Sequence, residues 1–215
     1  GKEDKRRVHL RTIEFIDERF VTLIEELDTI EGDKQQFKQE NNFIDLQANA
    51  AVDLQRGTEV DRAVFDVESQ VLLAETLVGT LRETSGSELL PANIGITDIS
   101  INDQIDSYNQ AVLRRDRLAT AGGSNNPSVQ LLDATINDYR TSLDRSLEAY
   151  IAQLNISKEL IAKRSSEVKT ELSSIPLKEK VLRDIERKQK IKEELYLYLL
   201  EKREIAAISY AVTDD

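Results

Sequence analysis

Apolar residues recur at alternating steps of three and four along two long stretches, and this spacing restricts the chain to packed helices. The first series is Ile13, Ile16, Phe20, Leu23, Leu27 and Ile30. It continues in phase through Phe37 to Ile44, with Lys34 and Asn41 as polar interruptions. The second runs Val60, Val64, Val67, Val71, Ala74, Val78 and Leu81 without a miss. Wound at 3.6 residues per turn, such positions form one narrow apolar line, the seam of a coiled coil. The seams predict helices over about residues 3–41 and 45–83.

The stretch TSGSELLPANIGITDISIND breaks the pattern with Gly86, Pro91 and Gly95, and predicts a long loop over 84–100. A shorter helix over about 101–120 follows. In AGGSNNP, glycines suit a helix end, Asn125 or Asn126 an N-cap, and Pro127 a first turn. From there Val129, Leu132, Ile136, Tyr139 and Leu143 open a helix reaching about residue 173. Pro176 bars Ile175 from helical geometry. A last helix is predicted over 177–212. The expected fold is therefore all-α: about five long, antiparallel, coiled-coil-like helices in a single elongated domain over 1–215, an elongated hairpin or a bundle. A hairpin with its tip near residues 86–100 would bring both chain ends to the same end.

Composition narrows the function. The net charge of −11 opposes nucleic acid as principal partner, since phosphate recognition needs a basic surface. It opposes a general anionic-membrane binder for the same reason. With no cysteine there is neither a disulfide framework nor a thiolate site. No apolar run approaches the ~20 residues of a membrane helix. The 215 residues include no methionine, and Gly1 resembles a tag remnant, so a piece excised from a longer chain is expected.

Candidate chemistry is sparse. His9 lies beside the first seam with no patterned Ser or Cys partner and reads as a seam or surface residue. GGSNNP lacks the Lys-Ser/Thr ending of a phosphate loop and reads as a helix-to-helix turn. Glu25-Glu26 and Glu193-Glu194 are helix neighbours that point to different sides. Arg114, Arg115 and Arg117 could grip a carboxylate or an acidic sugar; pairing with acids of the same chain is the better reading. Tyr196, Tyr198 and Tyr210 read as packed rings with wet hydroxyls. No catalytic residue, metal site or cofactor is expected.

The last helix carries the functional signal. Within IPLKEKVLRDIERKQKIKEELYLYLLEKRE, residues 175–204, Leu195 to Leu200 are six bulky positions in a row. Ile191, Leu195, Tyr198 and Ile205 trace one stripe, widened by Tyr196, Leu199 and Leu200. Such breadth exceeds one partner helix and implies packing on the chain's own domain and on a neighbouring chain.

This stretch closely resembles the motif near the second membrane helix of bacterial exopolysaccharide tyrosine autokinases, the Wzc-type polysaccharide co-polymerases. The matching positions are Ile175, Pro176, Glu179, Arg187, Gln189, Ile191, Lys192, Leu195, Tyr196, Leu199, Leu200, Lys202, Arg203 and Glu204. YNQAVLRRDRL at 108–118, NNP at 125–127 and the first helix resemble the same family. Ile205 departs from it, standing where many relatives carry a second Glu. The resemblance implies the periplasmic helical region of an inner-membrane protein of a Gram-negative bacterium, with 175–212 as its motif helix. It implies a non-catalytic oligomerisation and chain-length or export scaffold for capsule or exopolysaccharide biosynthesis. The parent would carry a tyrosine kinase domain absent from these residues. Implied partners are further copies of the chain, an outer-membrane polysaccharide export channel and a polysaccharide polymerase. Pro176, Glu179, Arg187, Gln189, Lys192, Leu195, Tyr196, Leu199, Leu200, Lys202 and Arg203 are the expected interface or motif residues. A membrane-curving or cytoskeletal helical dimer is the alternative, and the acidic balance counts against its membrane-curving form.

Overall fold

The computed structural model describes residues 1–41, 54–86, 88–170 and 177–212. Within them the chain is all-α, with five helices: α1 (Lys2–Glu40), α2 (Leu54–Glu83), α3 (Ile99–Gly122), α4 (Pro127–Thr170) and α5 (Leu177–Val212). The predicted turns near Asn42 and Pro176 lie outside the described residues. α3 is longer than its pattern suggests because Asp98 caps it: the carboxylate accepts from the Ile101 N–H at 2.9 Å. At its other end Gly123, at φ 77°, donates its N–H to the Ala119 carbonyl. That left-handed geometry favours glycine.

The chain divides into two compact units. The first holds Gly1–Glu18, Gln70–Gln153 and Leu199–Asp215; the second holds Arg19–Ser69 and Leu154–Tyr198.

In the first unit the seams supply the core. Phe15 and Ile16 of α1, Ala74, Leu77 and Leu81 of α2, and Leu143 and Leu147 of α4 are buried. α2 runs antiparallel to α4, as Gln70 meets Tyr150 and Thr84 meets Arg140. α3 is antiparallel to α4 through Gln104–Ser146 and Arg115–Asp133. α1 and α5 are antiparallel too, with Arg6 bonded to the Tyr210 hydroxyl and Arg203 to Asp17. One seam position differs from expectation. Tyr139 is 38% exposed, and its neighbour Arg140 turns inward instead. There its guanidinium donates to the carbonyls of Leu81 and Thr84 and satisfies the open end of α2.

The loop over 84–100 is not a hairpin tip. Its described part from 88 to 98 is an irregular segment packed into the first unit, with Leu89, Leu90, Pro91, Ala92, Ile94 and Ile96 all buried. Its backbone has no ladder partner, so side chains take that role. Asn109 accepts from the Leu90 N–H at 2.8 Å and donates to the Leu90 carbonyl at 2.9 Å. The Thr12 hydroxyl accepts from the Ala92 N–H at 3.1 Å and lies 3.0 Å from the Ala92 carbonyl. Tyr108 donates to the Glu88 carbonyl, Arg11 to that of Leu89 and Gln70 to that of Gly95. Burial pushes the Tyr108 phenol pKa up, against a smaller downward pull from Arg140.

In the second unit Leu23 of α1, Val64 of α2, and Ile191 and Leu195 of α5 form the apolar centre. Lys158 of α4 pairs with Glu68 of α2 at 2.9 Å.

Candidate functional site

The motif helix α5 contributes to each unit, and its side chains divide sharply. In the second unit it runs antiparallel to α1 behind a polar ladder. Gln189 donates to Glu31 at 2.6 Å and accepts from Lys34 at 3.1 Å, while Lys34 also approaches Glu186 at 3.7 Å. Lys192 meets Glu26 at 2.8 Å, and Arg19 reaches the same carboxylate at 3.4 Å. Past the ladder the rings of Tyr196 and Phe20 sit 4.6 Å apart, tilted by 38°. Leu195 beside them is fully buried.

In the first unit Leu199 and Ala206 face the core, and Arg203 forms a two-pronged pair with Asp17 at 2.6 and 3.3 Å. This hydrogen bond holds the Arg203 guanidinium pKa above its usual range. Arg6 lies over the Tyr210 ring, 4.7 Å from its centroid. On the other face Leu200, Ile205, Ile208 and Val212 are exposed, the last two by 62% and 69%. Ile205 therefore leaves the stripe that sequence spacing gives it, and Leu199 joins the buried line.

The expected interface residues thus fall into three groups. Gln189, Lys192, Leu195, Tyr196, Leu199 and Arg203 face the chain's own core or pair with α1. Arg187 pairs along its own helix with Asp184 at 3.3 Å, while Glu179 and Lys202 are half-buried. Leu200 retains exposed apolar surface, and Pro176 lies outside the described residues. Sequence reading missed the α1 partners Asp17, Glu26 and Glu31. One available signal was Lys34, a polar interruption in the first seam that has its counterpart in Gln189 on α5.

Two arginines of the α3 cluster are committed within the chain. Arg115 bonds Asp133 at 2.8 Å and Arg117 pairs with Asp4. Asp116 receives Arg7 at 2.8 Å. Asp4 also accepts from the N-terminal amine, and that hydrogen bond, with Arg117 adding to it, holds its carboxyl below the ordinary range. A shallow open cleft of about 330 Å³ lies beside this cluster, lined by Arg7, Leu10, Arg11, Glu14, Glu88 and Leu89. Among the described residues no group of three His, Cys, Asp or Glu side chains is placed to hold a metal. No described helix is long and apolar enough to cross a membrane. No family model, curated protein or solved structure matches the chain.

Proposed function

We propose that this chain is a non-catalytic assembly scaffold: the periplasmic helical region of a membrane-anchored, Wzc-type polysaccharide co-polymerase. In this reading copies of the chain associate, help set polysaccharide length or export, and belong to a parent with a cytoplasmic tyrosine kinase domain. An outer-membrane export channel and a polymerase are its further partners. The motif resemblance supplies the family. The observation carrying the assembly role is the division of α5: Leu199 and Ala206 inward, Ile205, Ile208 and Val212 outward. A helix with apolar residues on both sides has more to cover than its own domain covers.

The test is made in the full-length parent. Ile208→Glu with Val212→Glu places charges on the outward face and touches none of the α1 pairs named above. The pair is expected to weaken oligomers and shift polymer length, while the kinase domain retains its autophosphorylation. Wild-type oligomers and polymer length, from a double variant that is expressed and folded, would remove α5 from the assembly role. Absence of a phosphate-loop kinase and of flanking membrane helices from the complete gene would remove the family reading.

A further inference from the structure

Apolar seams hold helices together more firmly than they fix their register, because bulky aliphatic side chains accept one another in several alignments. Polar pairs at a seam are less tolerant, and one mismatched partner leaves a partly buried charge without compensation. The second unit places such pairs between α1 and α5. Gln189 uses both ends of its amide at once, its NH2 on Glu31 and its carbonyl on Lys34. Lys192 and Arg19 share Glu26.

We propose that this ladder is a register lock, selecting one alignment of α5 on α1. Sliding α5 by one heptad shows where the selectivity lies. Glu31 would face Leu182 or Tyr196 in place of Gln189, and Glu26 would face Ile185 or Leu199 in place of Lys192. Either direction sets Glu31 against Leu182 or the Tyr196 ring and leaves Glu26 with Arg19 alone. Lys34 does not discriminate, since Glu179 or Glu193 would replace Glu186 opposite it. Within the second unit the lock therefore resides in Glu31–Gln189 and Glu26–Lys192. It is an alignment device, separate from the outward face of α5 and independent of any assembly role.

The chain has no cysteine, so paired spin labels can be placed at will. With labels at Lys38→Cys and Arg183→Cys, both exposed, the 215-residue protein should give one narrow distance. Glu26→Leu combined with Gln189→Leu should keep the helical circular dichroism. It should add a second, longer distance population, because labels that face one another move apart along the helix axis by roughly 10 Å, one heptad at ~1.5 Å per residue. Lys192→Arg preserves the pair with Glu26 and should leave a single distance. A single unchanged distance in the double-leucine variant would overturn the lock. Unfolding of that variant would overturn it equally, because the ladder would then supply stability rather than choose an alignment.

Discussion

Thr12 and Asn109 show how much one polar side chain can decide inside an apolar core. Both are almost completely buried, and each binds the N–H and approaches or binds the carbonyl of a segment with no strand partner. Asn109→Ala would strand two buried backbone groups of Leu90, each costing about 1–3 kcal/mol. A loss of about 3 kcal/mol in urea unfolding is expected, with the denaturant slope unchanged. Ser69 presents the opposite case. Its hydroxyl is buried and makes no hydrogen bond among the described residues. Ser69→Ala removes a desolvated group without breaking a contact, so a gain of roughly 1 kcal/mol is expected from the same measurement.

At the scale of the helix, ends and neighbours matter more than propensity. α2 has its C-terminal carbonyls closed by an arginine from α4, and α3 starts where Asp98 can cap it. Within α3, Asp106 stands one turn after Asp103. Surrounding protein, with the Asp103 charge adding to it, holds the Asp106 pKa above the ordinary carboxylate value. The sign follows from linkage. A folded-state pKa above the unfolded one means that the ionised carboxylate opposes folding above that pKa, and the penalty fades as both states protonate in acid. Asp106→Asn should therefore stabilise the protein at neutral pH, by roughly 0.3 kcal/mol for a like-charge pair at this spacing. The difference should vanish below about pH 3. Thermal melts across that range check it, and a gain that persists in acid would point to packing instead.

For the whole molecule, charge and exposed apolar area pull in opposite directions. Two copies carrying −11 each repel, and Leu200, Ile205, Ile208 and Val212 offer far less than the roughly 800 Å² per partner of a stable interface. The isolated chain is expected to sediment mainly as a monomer at micromolar concentration. Membrane anchoring would raise the effective concentration and let weak contacts count. A stable oligomer of the isolated chain at micromolar concentration would show that a larger surface is at work.

The all-α class, the five helices and most of the buried seam could be read from the sequence. Steps of three and four specify a helix and its inward side through local geometry alone, which is why Ile16, Leu23, Ala74, Leu81 and Leu143 fall where their spacing puts them. The motif on α5 was legible as a broad apolar girdle. Its assignment to partners was not, because spacing says which residues share a face and not which helix lies opposite. Tertiary structure alone decided that Tyr196 packs on Phe20, that Arg203 belongs to Asp17, and that Ile205 faces outward. It also decided the fate of residues 88–98. Their Gly and Pro content reads as a loop, yet the segment lies in the core, because Thr12, Asn109 and Gln70, distant in sequence, meet its backbone and replace the hydrogen bonds that water would otherwise provide.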